Sequence, residues 1–162
     1  MGFLDWLGVT AEGLPLNIGD SAPDAITRDE QGNKIRLIEL YGDGYTLVYF
    51  YPKANTPGCT KQACSLRDGF ASLQKHGIRV IGVSSDEPRA QLHFKEKYRL
   101  PFVLLADYER GVAKAFGVSL LLGMTHRQSF LIKGGAIVWR DLHASTRAQA
   151  DDILKAVARL GG

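Results

Sequence analysis

Cys59 and Cys64 are the two cysteines of a 162-residue chain. The first ends the stretch Tyr51-Pro52-Lys53-Ala54-Asn55-Thr56-Pro57-Gly58-Cys59, which reads as a strand giving way to a helix. Thr56 is a candidate N-cap, and Pro57 suits the first helical position. Gly58 lets the backbone pass close to a ligand. Cys59 then falls in the first turn, where free N–H groups and the helix dipole stabilise an anion. Thiols in such surroundings ionise more readily than free cysteine, and the thiolate is the reactive form. The pattern offers a nucleophile, with a second thiol near enough to capture what the first becomes. The competing reading of the same pair is two small buried hydrophobes, because free cysteine packs well in a core.

A nucleophile at a strand–helix junction needs a strand that ends beneath it. Residues 46–51 (Thr-Leu-Val-Tyr-Phe-Tyr) form a continuous apolar run, the pattern of a central strand buried on both faces. A helix is predicted from residue 57 to about 75, ending near Gly77. Residues 78–84 and 102–106 read as further strands. Residues 88–99 read as a helix with Ala90, Phe94 and Tyr98 on one face, and 109–116 as a short helix closed by Gly117. Upstream, 24–27 and 34–37 flank a polar turn and predict a hairpin. Downstream, strands 128–132 and 136–141 are separated by the tight turn Lys133-Gly134-Gly135. The last helix opens on Thr146-Arg147-Ala148-Gln149, a capping-box pattern, and carries Ala150, Ile153, Leu154 and Val157 at helical spacing. Alternating strands and helices predict an α/β fold. It has a mixed central sheet flanked by helices and an N-terminal β-hairpin, the arrangement of a thioredoxin-like core with additions.

The composition is that of one globular domain, with 45% apolar and 23% charged residues. The net charge of +3 comes from scattered lysines and arginines, which gives no nucleic-acid surface. No run of about 18 apolar residues occurs, so no membrane-spanning helix is expected. The N-terminus lacks the basic region of a secretory signal. Its Phe3, Leu4, Trp6, Leu7 and Val9 predict a short amphipathic turn docked on the domain. A membrane-surface anchor is the weaker reading, because no basic residue accompanies them. The expected organisation is an extension over residues 1–18 and a domain over 19–162, working in the cytoplasm. There a cysteine pair is more often catalytic or redox-active than a structural staple.

The context Pro52-x-x-x-Thr56-x-x-Cys59 strongly resembles the active site of peroxiredoxins, in which a proline shields the cysteine and a threonine hydroxyl contacts thiolate and peroxide. That family also keeps an arginine beside the thiolate, and Arg127, opening a predicted strand in His126-Arg127-Gln128-Ser129-Phe130, matches it. Taken without the resemblance, Arg127 reads as a surface arginine at a strand start. The phrase Thr56-Pro57-Gly58-Cys59-Thr60-Lys61-Gln62-Ala63-Cys64 is very close to the pattern of the bacterioferritin comigratory protein, or peroxiredoxin Q, branch. The resemblance spans about residues 19–160 and weakens over the apolar segment 120–125.

The resemblance implies a thioredoxin-like fold and a thiol-dependent peroxidase acting on hydrogen peroxide and organic hydroperoxides. Cys59 would be the peroxidatic thiol and Cys64 the resolving one. Thr56, Pro52 and Arg127 would complete the site, Arg127 holding the thiolate and polarising the peroxide oxygens. Cys59 would pass through a sulfenic acid to an intramolecular disulfide with Cys64, which thioredoxin or a similar dithiol would reduce. No cofactor and no metal are implied, and the branch points to a monomer or at most a weak dimer.

Helix geometry adds a condition. Residues five apart on an α-helix have Cα atoms about 8.6 Å apart, whereas a disulfide needs less than about 7 Å. If both cysteines are helical when reduced, the helix around residues 59–67 must melt or shift on oxidation. Other redox and metal chemistries fit less well. The Cys-x-x-Cys of a disulfide exchanger is absent, and Trp139 is followed by Arg140 rather than the asparagine of a glutathione-peroxidase site. His76, His93, His126 and His143 are spread over different elements rather than clustered as zinc ligands. Asp107 with Glu109, and Asp151 with Asp152, sit near predicted helix starts, where acids favour the dipole. The alternative from another class is a non-enzymatic redox sensor, oxidised once where an enzyme turns over.

Overall fold

The run at 46–51 is the centre of the molecule. The computed structural model describes residues 14–161. In it Tyr45–Phe50 forms strand β3, buried at every position. Side chains alternate across a strand. Tyr45, Leu47 and Tyr49 therefore enter one apolar cluster while Val48 and Phe50 enter the other. Before it come β1 (Ile26–Asp29), β2 (Lys34–Arg36) and a 3-10 turn (Leu37–Leu40). After it come α1 (Pro57–Asp68), α2 (Phe70–Lys75), β4 (Ile78–Ser84), α3 (Pro88–Tyr98), β5 (Val103–Ala106) and α4 (Gly111–Phe116). A small hairpin, β6 (Leu120–Leu121) and β7 (Met124–Thr125), precedes β8 (Gln128–Lys133), β9 (Ala136–Asp141) and α5 (Gln149–Arg159).

Seven strands make one sheet in the order β2-β1-β5-β4-β3-β8-β9. β3, β4 and β5 run parallel, and the flanking pairings are antiparallel. Helices α1, α2, α3 and α5 cover the face carrying Tyr49 and Leu104. Helix α4 covers the other through Val112 and Phe116. The mixed α/β architecture with an N-terminal hairpin is the one the sequence predicts. Residues 14–16 are tied to this body: Leu16 N–H donates to the Phe116 carbonyl at 3.0 Å, and Arg140 Nη1 donates to the Leu16 carbonyl at 2.8 Å. The amphipathic turn expected over Phe3 to Val9 lies outside the described residues.

Four local expectations need correction. The helix predicted over 57–75 breaks at Gly69 into α1 and α2. A Cβ there would stand 2.7 Å from the Ala150 Cβ, so the packing of α5 allows only glycine at this point. The capping box at residues 146–149 does not form. Ala148 is the N-cap of α5, and the Ser145 hydroxyl accepts from the Arg147 and Ala148 N–H groups at 3.2 and 3.0 Å. On α3 the inward residues are Gln91 and Phe94, with Ala90 exposed. The segment 120–124, read only as apolar, is the β6–β7 hairpin. Leu122 and Gly123 form its two-residue loop at φ 53 and 79, the conformation that a type I′ turn demands.

Candidate active site

β3 hands its chain to α1 through a loop fastened on three sides. The Tyr51 N–H donates to the Val83 carbonyl at 3.0 Å, and the Tyr51 carbonyl accepts from Thr125 Oγ1 at 2.8 Å. The Ala54 N–H donates to Asp86 Oδ2 at 2.7 Å, and the same carboxylate oxygen is held by Ser84 Oγ at 2.6 Å. Asn55 adopts φ 61 and accepts at Oδ1 from Tyr98 Oη on α3 at 3.2 Å. These anchors fix where α1 begins. Thr56 is its N-cap and Pro57 its first residue, and the helix starts with Thr60 N–H donating to the Thr56 carbonyl at 2.8 Å. The Thr56 hydroxyl does not cap the helix. It donates to the Lys53 carbonyl at 2.7 Å, which leaves its oxygen free to accept. Pro52 is half-buried in the same loop.

Cys59 lies in the first turn of α1, 2% exposed, beside Tyr49 and Ala63 in the core cluster. Arg127, from the connection between β7 and β8, reaches it across the fold, with Nη2 donating to Cys59 Sγ at 3.4 Å. It is half-buried rather than on the surface. Its other nitrogen, Nη1, donates to Gln62 Oε1 at 2.7 Å, one helical turn beyond Cys59. Gln62 Nε2 donates to Gln149 Oε1 at 3.0 Å, and Ser129 Oγ donates to the same oxygen at 2.6 Å. Gln62, Gln149 and Ser129 are fully buried. Gly58 makes room for this arrangement, since a Cβ there would come within 3.1 Å of Arg127 Nη2.

Cys64 is half-buried on the same uninterrupted helix, and both cysteines are free thiols. Burial first, and the neighbouring Cys59 second, push the Tyr49 phenol far above its ordinary value, so it is a neutral group. Its hydroxyl has no hydrogen-bond partner among the described residues. The structure thus brings Cys59 and Arg127 into contact, sets Pro52 and Thr56 in the adjoining loop, and keeps Cys64 on the shared helix. Sequence reasoning did not find Gln62, Gln149, Ser129, Asp86 or Thr125. A polar residue at helical spacing from a reactive cysteine was the one available signal, and it pointed to Gln62. The four histidines are all exposed.

A guanidinium, a helix N-terminus and a sulfur converging in a desolvated corner suit an anionic nucleophile attacking a small polar substrate. Comparison with known proteins agrees with that chemistry. Residues 18–140 match the AhpC/TSA family. Peroxiredoxin Bcp of Escherichia coli is 46% identical over 125 residues, covering 73% of this chain and 80% of that protein. The chloroplastic peroxiredoxin Q of Oryza sativa subsp. japonica is 40% identical over 122 residues, 74% of this chain and 56% of that protein. Among solved structures, peroxidoxin BcpB from Mycobacterium tuberculosis superposes with a TM-score of 0.82 at 34% identity, covering 90% of this chain and 98% of that one.

Proposed function

This chain belongs to the AhpC/TSA family, in its Bcp and peroxiredoxin Q branch, and from that premise we propose that it reduces hydrogen peroxide and organic hydroperoxides with Cys59 as nucleophile. The observation that carries the reading is the contact of Arg127 Nη2 with Cys59 Sγ at the N-terminus of α1, with the second thiol on the same helix. The Cys59 thiolate attacks one peroxide oxygen. The O–O bond breaks, and the departing oxygen takes a proton and leaves as water or an alcohol. Cys59 becomes a sulfenic acid. Arg127 stabilises charge on the sulfur and on the oxygens as the bond breaks. The free lone pairs of the Thr56 hydroxyl accept the peroxide's own O–H, and Pro52 keeps bulk water from the sulfur.

Cys64 then condenses with the sulfenic acid, and a dithiol of the thioredoxin type reduces the resulting disulfide by exchange. Recycling of that kind requires a reducing compartment, here the cytoplasm, and needs no second subunit. The test is NADPH-coupled peroxide consumption with thioredoxin and its reductase. Wild type turns over many equivalents. Cys59→Ser consumes none, and Cys64→Ser is oxidised once and is not recycled through an internal disulfide. Full thioredoxin-dependent turnover by Cys64→Ser would remove Cys64 from the resolving role. A wild type that loses two thiols and then stops would be a sensor rather than an enzyme.

A further inference from the structure

Gln149 is a poor choice for its place if packing is all it does. It opens α5, is fully buried, and leaves its Nε2 without a hydrogen-bond partner among the described residues. A buried amide donor with no partner costs stability that an unbranched apolar side chain of the same length does not. Its other atom is the used one: Oε1 accepts from both Gln62 and Ser129. Gln62 lies on α1 between the two cysteines and in turn holds Arg127. Arg127 also holds this interval from the β7–β8 connection, through Cys59 Sγ and Gln62 Oε1, and the other side-chain anchors of α1 lie beyond it. Ser65 Oγ donates to the Arg147 carbonyl at 3.0 Å, and Arg67 Nη1 donates to the Tyr98 carbonyl at 2.8 Å. One acceptor oxygen on α5, backed by one hydroxyl on β8, therefore grips the helix within the stretch that must move.

That stretch has two incompatible tasks. Wound, it presents Cys59 to Arg127 at the helix N-terminus. Unwound, it lets Cys64 close the gap of about 8.6 Å that an intact helix imposes. We infer that Gln149 is a positioning residue that sets when α1 releases: it holds Gln62 while Cys59 faces peroxide, and this hold must break before the disulfide closes. The inference rests on the proposed Cys59–Cys64 disulfide. In closure the Cys59 S–O bond breaks and the S–S bond forms. The oxygen leaves as water, carrying the sulfenic proton and the proton of Cys64. Unwinding limits closure, so a tighter hold leaves the sulfenic acid exposed to a second peroxide and to sulfinic acid formation.

Gln149→Met keeps the length and packing of the side chain and removes the acceptor. Reduced protein is mixed with one equivalent of peroxide, quenched at intervals and assayed for the disulfide by mass spectrometry. Closure in Gln149→Met is expected to be roughly two- to twelvefold faster than in wild type, the factor for one net hydrogen bond lost from the wound state. Amide exchange at residues 60–63 should quicken, and less sulfinic acid should form at excess peroxide. Gln149→Glu, which keeps the acceptor, should return closure towards the wild-type rate. Ser129→Ala should accelerate closure by a smaller factor, and it carries the test if Gln149→Met does not fold. A step that speeds up when a contact is deleted is not what a merely structural residue produces. Closure unchanged or slower in both deletions, with the disulfide still formed by wild type, overturns the inference. A wild type that forms no Cys59–Cys64 disulfide overturns the reading beneath it, and the inference with it.

Discussion

Replacing Gly58 with alanine adds one methyl group beneath the Arg127 guanidinium. That carbon would stand 3.1 Å from Nη2, 3.9 Å from Cζ and 3.7 Å from Thr146 Cγ2. Non-bonded heavy atoms rest at about 3.5–4.0 Å, so the guanidinium must retreat by a few tenths of an ångström. It starts 3.4 Å from Cys59 Sγ and 2.7 Å from Gln62 Oε1, and a rigid planar fork cannot retreat and keep both. A hydrogen bond to a charged group contributes about 1.5–3 kcal/mol. Losing a third to a half of it at the transition state slows attack roughly three- to tenfold. Folding stability should move the other way. Gly58 is a helical residue without a positive φ, and glycine is less favourable than alanine in a helix by about 0.5–1 kcal/mol. The assay pairs stopped-flow oxidation of the reduced protein by hydrogen peroxide with urea denaturation. The expected result is slower attack with an unchanged or higher midpoint. Attack at the wild-type rate would refute the claim that Arg127 must hold its present place. A parallel fall in rate and stability would show that the methyl group disrupts packing rather than the guanidinium.

Oxidation by one equivalent of peroxide should lower the far-ultraviolet helical signal and strip amide protection from residues 59–67, since α1 cannot stay wound around a Cys59–Cys64 disulfide; identical spectra and protection in the two forms would defeat this. Tyr49→Phe removes a buried hydroxyl that has no partner among the described residues and should stabilise the protein by about 1 kcal/mol in urea melts, whereas a clear loss would mean that the hydroxyl is satisfied in solution. The hydrogen bond from Arg36, with backbone N–H groups from Ile38 and Ala25, holds the Asp24 carboxyl below its ordinary 3.8. A depressed folded-state value contributes stability above pH 3.8 that is lost as pH falls through it, so the deficit of Asp24→Asn should shrink on acidification, and a deficit independent of pH would refute the assignment.

Much of the fold was legible because its signals are local. A continuous apolar run marked β3, a β-rich run marked β4, and Lys133-Gly134-Gly135 marked a turn whose glycines take φ 60 and 77. The β6–β7 hairpin escaped because a leucine occupies the first turn position, where glycine or asparagine is the usual cue. Gly69 looked like any helical residue. Its reason for being glycine is Ala150, which is distant in the chain and adjacent in space. Thr56 and Gln149 show the same limit at finer grain. Their residue types predicted caps, but the Lys53 carbonyl claims one side chain, and Gln62 and Ser129 claim the other.

The sequence by itself determined the layered α/β order, the helix start at Thr56-Pro57 and the presence of a thiol in the first turn of that helix. Each follows from propensities and periodicities acting over a few residues. Only the tertiary structure decided what that thiol meets. Pairing of β8 against β3 brings Arg127 to Cys59 across 68 residues, and the packing of α5 on α1 supplies the amide chain behind it. Contacts of that kind depend on strand order and helix placement, which no short stretch of chain encodes.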